Sequence, residues 1–312
     1  IYREYEEGIL MHSLMSFQNT EAEGSSPSRS LVESYLSANG LPIHQAENTQ
    51  YKGDKWFFDE FADRDPRLYD NIDPAGLRIE GSGVVAYAAT GYFAHLFVNP
   101  SLLNVPGGMS STNITDAPVM KYNEVLMNYI EAAAELADMG AYTLTQSDFD
   151  KTINAVRNRP STSMPAVTLA GTNLAVNGIT INDPDRDKGT MIAGDYEVSP
   201  ILWEVRRERR TELPYQGIRF HDLRCRGKSS SADMKVNPKL NRGAYLDKAR
   251  FVEWYNETNG TAITVDNLKS VQLDSEGYIK PAIDESLLRT VEPKHYLYPI
   301  PTQEIALYQS NG

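Results

Sequence analysis

Apolar residues recur at intervals of three and four most regularly in PVMKYNEVLMNYIEAAAELADM, and this pattern predicts a helix from Pro118 to Met139. Val119, Tyr122, Leu126, Tyr129, Ala133 and Leu136 fall on one stripe of it. Asp116 is available as N-cap, Pro118 lies near the first turn, and Gly140 follows the end. After a short turn, Asp148 to Arg159 reads as a second helix with Phe149, Ile153 and Val156 inward. A third runs from Pro200 to Leu213, closed by Pro214 and Gly217, and a fourth, shorter one covers Lys248 to Asn256.

Between these segments the periodicity fades. Glu21 to Ser30 is a polar Gly/Ser/Pro loop opening onto the amphipathic run SLVESYL. Ile43 to Asn113 is dense in Gly, Pro, Asn and Asp with scattered aromatics, which predicts long ordered loops of the functional kind. Ser161 to Asp195 reads as a second long excursion, and YLYPIPTQEIALYQ as an extended tail punctuated by proline. The two helices from Pro118 to Arg159 form a hairpin of the tetratricopeptide kind, without that repeat's full consensus and without a second copy in the chain. Repeat units need neighbours, so the hairpin is expected to dock against something else.

Composition narrows the classes. Hydrophobic residues at 41% and charged residues at 23% exclude a disordered, collagen-like or coiled-coil chain. The longest apolar run, Val84 to Ala89, is far short of the ~20 residues a spanning helix needs. Thirty basic against 42 acidic residues give a net charge of −12, so nucleic acid is a poor match as the main ligand. Tyrosines outnumber phenylalanines 18 to 9, which hints at binding surfaces, because tyrosine keeps a polar tip. The single cysteine, Cys225, forms no internal disulfide. The opening IYREYEEG lacks the apolar stretch of a signal peptide, so a targeting sequence is expected upstream.

The chemical motifs are mostly weak. LRIEGSGVVAYAATG places Gly81, Gly83 and Ala86 like a dinucleotide-binding turn, but Arg78 and Glu80 spoil the strand and no acid follows for a ribose. The five histidines, His12, His44, His95, His221 and His295, show no zinc-helix pairing. Cys225, between Arg224 and Arg226, lacks an evident oriented base. In INDPDRDKG the alternating Asp183, Asp185 and Asp187 are candidate calcium ligands, although the spacing departs from an EF-hand and a solvated acidic turn is the competing reading. WEVRRERRTELPYQGIRFHDLRCRGK carries eight basic residues against four acids. The expected pairs Glu204 with Arg207 and Arg209 with Glu212, on one helix, favour a structural clasp over a nucleic-acid patch.

The order of SSPSRSLVESYLSANGLPI, FADRDPRL, TGYFAHLF, PVMKYNEVLMNYIEAAAEL, INAVRNRP, DPDRDK, SPILWEVRRERRTELPYQGIRFHDLR and HYLYPIPTQEI resembles the SusD/RagB family of nutrient-binding outer-membrane lipoproteins from Ser25 to Ile305. Its most specific piece is the arginine-rich helix followed by Gly217, Arg219, Asp222 and Leu223. The resemblance implies a mainly α fold, with a tetratricopeptide-like hairpin scaffold and a large irregular, loop-rich part. It divides the chain into a ligand-binding part (1–117), the hairpin (118–160) and a C-terminal part with the arginine-rich helix (161–312). It also implies a protein at the bacterial cell surface, lipid-anchored in the outer membrane by an N-terminal segment this chain does not contain. Such proteins cap a TonB-dependent, SusC-like transporter and capture oligosaccharides or polysaccharides, or in some members peptides, without catalysis and without a cofactor. Gln216, Pro214 and Cys225-Arg226 depart from the family's usual residues. No catalytic residues carry over.

Sugar rings lie flat on aromatic faces while their hydroxyls seek in-plane polar partners. On that ground the expected ligand-binding residues are Tyr51, Trp56, Tyr69, Asn71 and Asp73, with Phe57, Phe58 and Phe61 as core anchors. Glu204, Arg207, Arg209, Glu212, Arg219 and Asp222 form the expected clasp, Arg64-Asp65-Pro66-Arg67 is read as structural, and Trp203 as buried. The rivals are a peptide-capturing relative, a helical interaction scaffold, and a glycoside hydrolase using two acids about 5 to 10 Å apart.

Overall fold

Strand β1 (Tyr2–Arg3) and helix α1 (Arg29–Ser34) begin the computed structural model, which describes residues 1–14, 26–74, 76–80, 83–85, 89–96, 99–102, 105–186, 198–281 and 284–310. The stretch expected to be loops holds α2 (Phe57–Phe61), α3 (Pro66–Asn71) and the short strands β2 (Ile72–Asp73), β3 (Arg78–Glu80), β4 (Gly83–Val85) and β5 (Phe93–Ala94). Helices of five or six residues are too short to register as a periodicity. They form because their ends are fixed. Asp65 accepts the Arg67 N–H at 3.0 Å with Pro66 in the first turn of α3, and Phe57 and Phe61 anchor α2 in the core. Phe58, expected in the core, is exposed. β3 and β4 pair antiparallel, with Gly83 the first residue of β4 opposite Glu80, so Arg78 and Glu80 lie in a strand but no helix follows it at Gly83; Gly81 and Ala86 lie outside the described residues.

The long helix starts later than the sequence predicts. Pro118 belongs to strand β6 (Ala117–Pro118), which pairs with β1, and α4 runs over Tyr122–Asp138. Asp116 therefore caps no helix, and its carboxylate accepts the Tyr5 N–H at 2.9 Å. The buried face of α4 is Met127, Ile130, Ala133 and Ala134, while Val119, Tyr122, Tyr129 and Leu136 of the expected stripe are exposed. The segment is apolar on more than one side, so its tertiary neighbours select the face. The second helix is also split, into α5 (Gln146–Lys151) and α6 (Ile153–Arg157). Thr145 caps α5 in a reciprocal box with Asp148, and the break falls at Thr152, whose hydroxyl donates to the Asp148 carbonyl at 2.6 Å.

The second excursion is a three-stranded antiparallel sheet, β7 (Thr168–Ala170), β8 (Asn173–Val176) and β9 (Ile179–Thr180). Gly171-Thr172 joins β7 to β8 and Asn177-Gly178, both at positive φ, joins β8 to β9, the latter a turn signal legible in the sequence. α7 (Pro200–Glu212) follows, with the Ser199 hydroxyl accepting the Leu202 N–H at 3.2 Å. After it come α8 (Arg219–Cys225), α9 (Pro238–Asn241) and α10 (Lys248–Asn259), the last capped by Asp247 at its start. The tail is not fully extended, since α11 covers Thr302–Ser310.

Two apolar clusters hold these elements. One joins α4, α5, α6, β8 and α7 through residues such as Ile130, Phe149, Val156, Val176 and Val205. The other joins α1, α2, α3 and α10 through Val32, Tyr35, Phe57, Leu68, Phe251 and Ile279. Each fully buried side chain of this size contributes about 1.5–3 kcal/mol. Both clusters run across the boundaries at 117/118 and 160/161, the first through Leu41 beside Ile130 and Val205, the second through Val32 to Tyr92 beside Ala244 to Ile279, so the three parts share their cores as one globular unit. Among the described residues no helix is long and apolar enough to cross a membrane.

Candidate functional site: a cavity walled by arginines

Helix α7 has two chemically distinct faces. Glu204, Glu208 and Glu212, four residues apart, are buried on one of them. Arg67 reaches Glu208 at 2.8 Å and Glu212 at 2.9 Å, Arg157 reaches Glu208 at 2.7 Å, and Arg159 reaches Glu212 at 2.7 Å. Burial alone pushes the Glu208 carboxyl up, but Arg157 and Arg67 outweigh it and hold the group down at about 2. Trp203, Arg206, Arg207 and Arg210 occupy a second stripe at spacings of three and four, and this stripe forms one wall of a cavity of about 1320 Å³. The other walls come from α1, α8, α9 and residues 289–299.

That volume exceeds the ~300–1,000 Å³ of ordinary small-molecule pockets, so the cavity has room for an oligomer. Among the described residues, twelve Lys or Arg side chains line it against three carboxylates. These three acids have basic partners: Glu33 meets Arg29 at 2.7 Å, Asp183 meets Arg207, and Asp185 meets His44. The hydrogen bond to Asp185 raises the His44 pKa against the opposing effect of burial. Phe220 and Tyr298 are exposed, and the Arg224 guanidinium lies over the Tyr298 ring at 3.7 Å. Trp203 is half-buried rather than fully buried, and its ring N–H donates to Asp183 at 2.7 Å.

Most cavity cations have carboxylates behind the wall. Arg206 pairs with Glu135 at 2.8 Å, and Arg226 with Glu131 at 2.6 Å. Arg210 instead donates to the hydroxyls of Ser34 and Ser30, each at 2.9 Å. Burial lowers its pKa to about 10. Arg219 makes no ion pair or hydrogen bond with any described residue, and burial, with Arg210 and Arg226 adding repulsion, pushes its pKa well down.

The five expected ligand residues do not meet here. Trp56 is 9% exposed, packed edge-on against Trp254 and Phe58 with the Arg250 guanidinium 4.2 Å from its ring centre. Asn71 is buried and donates to the Tyr35 hydroxyl at 3.0 Å and the Arg67 carbonyl at 2.6 Å. Tyr51 lies under Arg64, the Tyr69 hydroxyl donates to the Phe61 carbonyl, and Asp73 sits on β2 opposite Phe93. None of the five lines the arginine cavity. Asp183 and Asp185 do line it, engaged as described, and Asp187 lies outside the described residues. Among the described residues no three His, Cys, Asp or Glu side chains converge as metal ligands.

Of the expected clasp, Glu204 and Arg207 pair at 3.0 Å, three residues apart on α7. Arg209 does not reach Glu212; it turns to Asp222 at 3.1 Å and Asn128 at 2.6 Å, because Glu212 already faces Arg67 and Arg159. Arg64 donates to four backbone carbonyls, among them Val32 and Tyr35, each at 2.7 Å. Cys225 is exposed, with its sulfur 3.4 Å from His221 Nε2. The residues missed from sequence are Arg210, Phe220, Arg224 and Tyr298. The signal that could have found them is the spacing of Trp203, Arg206, Arg207 and Arg210, one helical face with an excess of cations.

Comparison with known proteins gives one family match, the SusD family, over residues 15–310. No curated protein matches significantly. A solved structure described as a SusD-like carbohydrate binding protein, from Bacteroides fragilis NCTC 9343, has 24% identity and a TM-score of 0.62, covering 98% of this chain and 53% of its own. A SusD-like protein from the same organism has 19% identity and a TM-score of 0.48, covering 95% and 48%. The chain thus spans about half the length of the solved structures it matches.

Proposed function

The chain belongs to the SusD family, and on that footing we propose that it captures glycans at the bacterial cell surface for import through a TonB-dependent, SusC-like outer-membrane transporter. The observation that carries this reading is the cavity, large enough for an oligomer and walled by forked guanidinium donors beside exposed aromatic faces. Phe220 and Tyr298 would meet the C–H faces of sugar rings, and the arginines their oxygens. Membrane attachment through an N-terminal lipid anchor completes the proposal. Binding without hydrolysis is favoured because, among the described residues, each carboxylate lining the cavity is engaged by a basic side chain: Glu33 by Arg29, Asp183 by Arg207 and Asp185 by His44.

Calorimetric titration of the full-length protein with soluble polysaccharides and peptides, followed by product analysis, tests this. Binding of a glycan with no cleavage is expected. Cleavage would make the protein a hydrolase, and heat from peptides alone would make it a peptide carrier.

A further inference from the structure

Resting on the glycan-capture reading, we infer that the cavity takes an anionic sugar, an oligosaccharide bearing carboxylate or sulfate groups that dock on Arg210 and Arg219. Arg67, Arg157 and Arg209 outside the cavity, and Arg207 and Arg226 on its lining, each face a carboxylate at 3.1 Å or closer. Arg210, Arg219, Arg224 and Arg289, on the same lining, pair with no carboxylate among the described residues. Arg219 has no partner among the described residues, and Arg210 has two neutral hydroxyls. Arg224 donates one Nη to the Tyr296 carbonyl while its buried Nε is unsatisfied, and Arg289 reaches the Ala232 carbonyl and the Asn241 side-chain carbonyl. Ser229, 4% exposed and on the same lining, also has a hydroxyl with no partner.

Half-buried guanidiniums that make no ion pair repel one another, and Arg219 also lacks an acceptor among the described residues; an oxyanion relieves both. The planar fork of arginine fits the paired oxygens of a carboxylate or sulfate, and Ser229 adds a neutral donor. A surplus of cations in one recess of a chain with net charge −12 also focuses the field there, so an anion is drawn to this recess and away from the rest of the surface.

The test is titration of the full-length protein with three size-matched probes: an oligogalacturonide, a sulfated galactan oligosaccharide and a neutral galactan oligosaccharide, at low and high salt. An anionic probe is expected to bind about tenfold or more tightly than the neutral one, with the preference shrinking as salt rises. Whichever anionic probe wins identifies carboxylate or sulfate as the source. Arg219→Gln is expected to abolish the preference with little change in melting temperature, because Arg219 holds nothing in the fold. Arg219→Lys, which keeps the charge but not the fork, is expected to retain part of it. Equal binding of neutral and anionic probes would overturn this inference and leave glycan capture standing. Binding of no glycan would overturn both. A preference that survives Arg219→Gln intact would place the anion elsewhere and overturn the site.

Discussion

Arg67 Nη1 stands 2.9 Å from Glu212 Oε2, joining residues 145 positions apart, and the same nitrogen lies 2.8 Å from Glu208. Through this one side chain the short helix α3 is tied to α7. Removing a carboxylate from such a buried network leaves guanidiniums without acceptors. Glu208→Gln is therefore expected to cost about 3–5 kcal/mol, read as a shift in the denaturant midpoint. A change within the noise would show that the network is dispensable.

The same group gives an acid limit. The Glu208 pKa is lowered on folding, from 4.5 to about 2, so its contribution is present above pH 4.5 and is lost as pH falls toward 2. The melting temperature of the native protein should drop across that window. In Glu208→Gln the drop should be shallower.

Glu60 works in the opposite sense. It is 1% exposed and accepts from the Tyr92 hydroxyl at 2.8 Å, and burial outweighs Arg29 and Tyr92 to raise its pKa to about 7. A folded pKa above the unfolded one means a contribution present below 4.5 and lost as pH rises through 7. Stability measured by urea at about pH 5 and about pH 8 should fall with pH for this group, and Glu60→Gln should flatten that slope. An unchanged slope would mean that Glu60 does not titrate there.

Trp56→Ala should lower the melting temperature sharply, at a cost of about 3–5 kcal/mol, because the ring fills the cluster that includes Phe57 and Trp254. Glycan affinity should be unchanged. A stable variant with weakened binding would restore Trp56 as a sugar platform.

A Cβ on Gly243 would lie 2.2 Å from the Thr90 carbonyl oxygen, at the point where Ala244 donates to that same oxygen at 2.8 Å. Gly243→Ala should destabilise by about 1–3 kcal/mol, since backbone must move to admit the methyl group. Chemical denaturation of the variant measures it.

Chelation should leave the melting temperature unmoved, because Asp183 is engaged by Arg207 and the Trp203 ring N–H, and Asp185 by His44. A drop with chelator, reversed by calcium, would reinstate the acidic turn as a metal site.

The fold was legible where its determinants are local. Helices α7 and α10 start where Ser199-Pro200 and Asp247-Lys248 place caps and first turns, and Gly260, in the left-handed region, ends α10. The sheet β7–β9 is also written locally, in Asn177-Gly178, but the polar residues around that turn give the segment the composition of a loop. The face buried by α4 was not legible, because its apolar residues satisfy more than one stripe and Phe149 and Ile153 settle the choice from elsewhere. Arginine pairing failed for the same reason. Arg209 and Glu212 are near in sequence, but Glu212 finds Arg67 across the fold. The surplus of cations in the segment from Trp203 to Lys228 was visible; that it faces a cavity is a tertiary fact.

Because α7 keeps Glu208 and Glu212 on one side and Arg210 on the other, what lines the cavity and what holds the fold together can vary separately. Substitutions on opposite sides that share no partner should combine almost additively. Arg207 is where the two sets of constraints collide, since it lines the cavity while pairing with Glu204. Changing the charge of the recess without disturbing the fold is therefore best begun at positions 210 and 219, leaving Arg207 in place.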